Sequence, residues 1–453
     1  MSWLDIFNKL STFLNKYDPQ RTFSFTNRNI EMKFYSMLDR MKLSFVREKL
    51  GHEIQVAENW VRIFRRAVVE LYKALGLEHR PLYSREFASF LEDIEHHLSK
   101  KLVFYAFDLL RNRLSLEEFM QKAGAAVTTS LKTNMRILYQ NWVFVSIMRL
   151  LGERGARMIY PETKFLLLTR SQQQKLAIIP PNAILATERG YLSFFLEIPR
   201  PIAWGDSRDL SRVWKLYTSL RPDICVYGEK LLNALDLSGE IVIKRPDVII
   251  ECKELEDWYK RRRDIRGPFA EIMSVEKWRT AWIRGLHEGL SEAVGLIMKS
   301  TKKKKKRHKV IYLSDHEIVQ LYQKIYKPKI FYLVSRTRIP REIKDNLEEN
   351  NIEVLDNIMF NHKKLEPLIE GLLNAIRKTH TKMSIAIDED TYRLLKALSR
   401  NIGIPLTNID NIITILAQFA LEHINELQET IRTKANSHKD SAEEVLQKTF
   451  LVS

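Results

Sequence analysis

Cysteine is nearly absent: the 453-residue chain holds two, Cys225 and Cys252. Two thiols, both inside short apolar runs, exclude a disulfide scaffold and any cysteine-rich zinc site. No apolar run approaches the roughly 20 residues that a membrane-crossing helix needs. The N-terminus, Met-Ser-Trp-Leu-Asp-Ile-Phe, lacks the charged lead and small-residue cleavage site of a signal peptide, and there is no lipidation motif. These absences predict a soluble, cytoplasmic protein with no membrane contact. A Gly-rich Walker loop is also missing, so any NTPase motor acting with this chain must come from a partner protein. Acidic side chains are in deficit, 56 Asp and Glu against 73 Lys and Arg, for a formal charge of +17. That surplus favours a polyanionic partner, most economically nucleic acid.

The chain is organised around Arg221 to Glu254, which holds two apolar runs, each opening with Pro-Asp. Val248, Ile249 and Ile250 are β-branched, as a buried strand favours, and Asp223-Ile-Cys-Val-Tyr reads the same way before Gly228. Alternation on a strand puts Glu251 and Lys253 on one face and Cys252 on the other. A carboxylate and an ammonium at the end of an apolar strand are costly unless used or paired. Asp223 from the neighbouring strand would complete a hard, oxygen-rich pocket suited to Mg²⁺, with Mn²⁺ as a substitute. The expected metal ligands are Asp223, Glu251 and the Cys252 backbone carbonyl. Lys253 is placed to orient the attacking water or to stabilise the phosphate in the transition state. Asp247 also follows a proline, but at about 3.3 Å per residue it lies roughly 13 Å from Glu251, too far to share one ion.

Asp223, Glu251 and Lys253 together resemble the signature of the PD-(D/E)XK, restriction-endonuclease-like nuclease superfamily. The resemblance implies a mixed sheet flanked by helices and metal-dependent cleavage of DNA phosphodiesters. Tyr139-Gln-Asn-Trp-Val-Phe144, within a helix expected over about 132–151, looks like the Tyr-Glu-x-Trp-x-Phe helix of McrC-type restriction subunits. Gln140 stands where that pattern has Glu. Its carbonyl could hold a metal-associated water as a fourth catalytic residue, or Glu153 or Glu162 could take the place.

Residues 1–130 read as a helical N-terminal domain and 131–360 as the nuclease-like α/β domain. Tyr191 to Ile198 reads as a strand able to pair with the Asp223 strand. Residues 329–358 read as strand, helix, strand, the crossover that completes a mixed sheet. A helix is expected over 269–290 and a strand over 294–298. Two basic stretches flank these, Lys260, Arg261, Arg262 and Arg263 just past the proposed site and a run at 302–309. Both suit phosphate contacts that position DNA without reading its bases.

Residues 361–380 read as a linker helix, and 431–453 as a polar tail. Between them, 381–430 changes to strand, helix, turn, helix and resembles the ribbon-helix-helix DNA-binding module. That resemblance implies a homodimer whose paired strands enter the major groove, with Lys382 and Ser384 facing bases. Thr407 and Asn408, at a helix N-terminus, would hold phosphate.

Overall fold

The computed structural model describes residues 2–170, 178–198, 221–234, 244–265 and 311–377, together with Arg393 and Lys396. The chain divides into two units, Met1–Thr379 and His380–Ser453. The expected ribbon-helix-helix-like module, with Lys382, Ser384, Thr407 and Asn408, lies outside the described residues, as do the elements expected at 269–290 and 294–298 and the basic run at 302–309.

The N-terminal region is helical, as the periodicity predicts. Its elements are α1 (Trp3–Tyr17), α2 (Arg28–Leu75), α3 (Arg85–Glu92), α4 (Ile94–Lys100), α5 (Val103–Leu110) and α6 (Leu116–Glu153). Local chemistry sets the ends. Asn27 caps α2 through its side chain, and Gly76 closes it in the left-handed region at φ 60°. Ser115 and Glu118 form a reciprocal capping box at the start of α6. That box starts the helix well before residue 132 and carries it unbroken through the domain boundary expected at 130. At 1.5 Å per residue the 48-residue α2 spans about 72 Å, and its one non-helical residue, Leu50, marks a kink.

Seven strands form the main sheet: β1 (Arg157–Tyr160), β2 (Ala183–Thr187), β3 (Gly190–Leu196), β4 (Ile224–Tyr227), β5 (Val248–Lys253), β6 (Ile330–Ser335) and β7 (Glu353–Leu355). Strand order in space follows chain order, β1 to β7. The first five strands pair antiparallel, and β5, β6 and β7 run parallel. The expected pairing of the Tyr191 strand with the Asp223 strand is present as β3 against β4, with Phe195 opposite Cys225. The parallel half needs crossovers, and two helices flank it in sequence, α7 (Asp315–Tyr326) before β6 and α8 (Arg341–Glu349) between β6 and β7.

Alternation sorts the strands between two apolar layers. Ile224, Val226, Val248, Ile250 and Cys252 face the layer shared with α2, α6 and α9 (Glu366–Ala375). Cys225, Tyr227, Ile249, Phe331 and Leu333 face the layer holding Ile318, Val319 and Tyr322 of α7 and Leu347 of α8. The molecule is therefore mixed α/β, a sheet covered on both faces by helices. Residues expected to form a linker helix instead belong to this core, because α9 buries Leu368, Ile369 and Leu372. At about 1.5–3 kcal/mol for each buried aliphatic side chain, that burial is ample reason for α9 to dock. An aromatic group ties the helical region to the sheet. Phe360 packs edge-on against Trp60 of α2 at 4.8 Å, and against Tyr139 and Trp142 of α6 at 5.6 and 5.1 Å.

Candidate active site

The register of β4 on β5 pairs Ile224 with Ile250 and Val226 with Val248. One step back along β4, that antiparallel count sets Asp223 directly opposite Glu251. Opposed residues of such a pair have Cβ atoms about 4.5–5.5 Å apart, and like charges there repel. The backbone binds the two carboxylates in a crossed arrangement. The Cys252 N–H donates to Asp223 Oδ2 at 2.8 Å, and the Asp223 N–H donates to Glu251 Oε2 at 3.2 Å. Lys253 Nζ donates to Glu251 Oε1 at 2.8 Å and lies 5.5 Å from the Trp258 ring centroid. Glu251 and Lys253 are both buried.

Burial holds the proton affinity of Asp223 well above the ordinary carboxylate range. The charge of Glu251 adds to that shift, while Lys253 and the Cys252 N–H oppose it without cancelling it. Two opposed carboxylates are also the donor set that favours a hard cation. A residue's N–H and C=O point to the same edge of a strand, so the Cys252 carbonyl shares the edge on which its N–H meets Asp223. The donor set thus fits a divalent ion through Asp223, Glu251 and that carbonyl. Among the described residues, no group of three or more His, Cys, Asp or Glu side chains gathers as a metal site.

Gln140 reaches the same place from another direction. Its Nε2 donates to the backbone carbonyl of Asp223 at 3.2 Å, and the Glu197 N–H donates to that carbonyl at 2.9 Å. Gln140 therefore braces the start of β4 from α6 by holding backbone. The two acids considered in its stead lie apart: Glu153 is exposed and pairs with Arg149 at 2.7 Å, and Glu162 is exposed.

Past the site, Lys260 and Arg261 are exposed on the turn that follows Trp258. Arg262 and Arg263 open a short strand, Arg262–Ile265, that pairs antiparallel with Ile311–Ser314.

Sequence reasoning missed three neighbours. Arg336 donates its N–H to the Lys253 carbonyl at 2.8 Å and its Nε to the Glu254 carbonyl at 2.6 Å. Its guanidinium lies 5.0 Å from the Trp60 ring centroid, so α2 supports the end of β5 through this one side chain. Glu254 is buried, and that burial raises its pKa against the pull of Lys253, Arg136 and Arg261. Trp258 is buried against Lys253. No motif marks these residues, although Arg336 directly follows an apolar strand that runs parallel to β5.

Asp247 stands at the opposite end of β5. Its carboxylate meets Lys329 Nζ at 2.9 Å and Arg377 at 3.1 Å and accepts the Gly228 N–H at 2.9 Å. It belongs to an ion-pair network with Lys329 and Arg377.

Among the described residues no helix is long and apolar enough to cross a membrane. The chain matches no known family model, no curated protein and no solved structure.

Proposed function

We propose that the chain is a Mg²⁺-dependent nuclease that hydrolyses phosphodiester bonds of double-stranded DNA, with a restriction-endonuclease-like core. The observation that carries the reading is the facing of Asp223 and Glu251 across two strands, with Lys253 bonded to Glu251. The mixed sheet between two helical layers and the charge of +17 support it.

In this reading Asp223 and Glu251 hold the ion with the Cys252 carbonyl. When bound, Mg²⁺ (or Mn²⁺) supplies a Lewis acid for the phosphate and lowers the pKa of water. Lys253 carries a proton and a positive charge beside Glu251, where it can orient the attacking water or offset charge on the phosphoryl oxygens. Trp258 and the apolar layer exclude bulk water from that ammonium, which strengthens its field. Gln140 keeps Asp223 in register by holding the backbone. A homodimer through the C-terminal module would suit cutting both strands, since each subunit carries one site.

The test is nicking and linearisation of supercoiled plasmid with Mg²⁺, Mn²⁺ or EDTA. The expected result is metal-dependent cutting by the wild type that is lost in Glu251→Ala and Lys253→Ala. A second reading, a noncatalytic DNA-binding protein on a decayed nuclease fold, is favoured by Gln140, an amide where the resembled helix carries a carboxylate. A wild type that stays silent with both metals yet binds DNA tightly would replace the first reading with the second.

A further inference from the structure

The parallel strands β5, β6 and β7 end together, since Lys253 pairs with Ser335 and Val334 with Leu355. Beyond those ends the chain continues side by side, with Thr337 Oγ1 donating to the Leu255 carbonyl at 3.4 Å. Two adjoining hollows of about 520 and 510 Å³ open there and share Arg338 and Asp356 in their walls. The lining brings together the cations Arg338, Arg341, Lys344, Lys363 and Lys364, with Asp356 as the acid facing them.

That acid is turned inward. Asp356 Oδ2 accepts the Ile339 N–H at 2.9 Å, and Oδ1 lies 3.5 Å from Lys344. Lys364 is bonded to the Asn357 carbonyl, and Arg341 lies 3.6 Å from Asp345. Arg338 and Lys363 are exposed, and neither is paired with an acid among the described residues. Tyr259, beside the exposed Lys260 and Arg261, lines the second hollow.

We infer that this basic cleft carries the phosphate backbone of duplex DNA leading away from the Asp223–Glu251 site, with Arg338 and Lys363 as its principal contacts. The inference rests on the nuclease reading for its alignment with a scissile phosphate. In open sheets with parallel strands, ligands sit outside the carboxyl ends of those strands, where this cleft lies. Arg338 stands three residues beyond Ser335, the strand partner of Lys253, so the cleft begins a few residues past the end of β6. Exposed guanidinium and ammonium groups lining one hollow suit contacts to phosphates, which read no bases.

The experiment is fluorescence anisotropy of a labelled DNA duplex against the full-length protein in EDTA, repeated from low to high salt. The wild type is compared with Arg338→Gln/Lys363→Gln and with a control, Lys33→Gln/Arg40→Gln, that removes two exposed cations from α2. Each lost phosphate contact lowers the slope of log K against log salt by about 0.9, so the cleft variant is expected to lose about 1.8 while the control keeps the wild-type slope. An unchanged slope in the cleft variant, or an equal fall in the control, overturns the inference. Plasmid cutting by the wild type is scored separately. A protein that never cuts but shows the expected slope change removes the nuclease reading and leaves the cleft as a DNA-binding surface.

Discussion

The two ends of β5 carry the same sequence signal and opposite electrostatics. Pro246-Asp247 and Pro222-Asp223 read alike along the chain. At one end the Asp247 carboxylate is matched by Arg377, Lys329 and a backbone N–H, and both cations keep partly exposed side chains. At the other end Asp223 faces Glu251, Lys253 brings one ammonium to the two of them, and burial with the neighbouring charge leaves Asp223 favouring its proton. A folded chain gains little from holding two carboxylates face to face, so such a pair is a candidate functional site. What separates a structural acid from a candidate ligand is therefore its charge balance.

The largest effects on stability should follow that division. Asp247→Ala removes a buried acceptor of three partners and should cost about 1–3 kcal/mol, the lower end because its cations can return to water. Asp223→Asn should shift stability by less than about 1 kcal/mol in the absence of metal, or raise it, since it relieves a repulsion. Urea unfolding of both variants checks this, and comparable losses at the two positions would remove the distinction.

A smaller effect separates the helical region from the sheet. His97 on α4 is buried, with Nε2 at 3.3 Å from both Ser130 Oγ and Asn134 Nδ2. Burial, aided by Lys101, lowers its pKa against the opposing pull of Glu86. The unfolded chain then takes up the proton first, so stability is full above the ordinary histidine pKa of about 6.5 and declines as pH falls below it. The slope is at most about 1.4 kcal/mol per pH unit. His97→Gln should flatten the profile between about pH 6.5 and 5, leaving the remainder that His362, lowered by burial too, contributes. Identical profiles for wild type and variant would contradict the assignment.

Much of this fold was legible in the sequence because its signals are local. Apolar runs located β3, β4, β5, β6 and β7, and helical spacing located the N-terminal helices. The full reach of α6 was also available in Ser115-x-x-Glu118, a capping box that the apolar periodicity alone does not reveal. β1, β2 and α7 escaped, since short strands in an irregular stretch and a helix beside a basic run carry weak periodicity. Asp223, Glu251 and Lys253 were legible as residue types on two strands. Their direct opposition was not, because register depends on partners distant in sequence and a one-residue slip would turn every side chain to the other face. Arg336 was invisible for the same reason: it acts through groups brought near only by the parallel pairing of β5 and β6.

Under the proposed reading Asp223 and Glu251 form a cation site and Asp247 does not. Its most direct test is thermal unfolding of the wild type, Asp223→Asn and Asp247→Ala across a Mg²⁺ titration. Binding to the native state stabilises it by about 1.4 kcal/mol at ten times the Kd. Tm should rise with Mg²⁺ for the wild type and Asp247→Ala and stay flat for Asp223→Asn. The same rise in all three proteins, or none in the wild type, would contradict it.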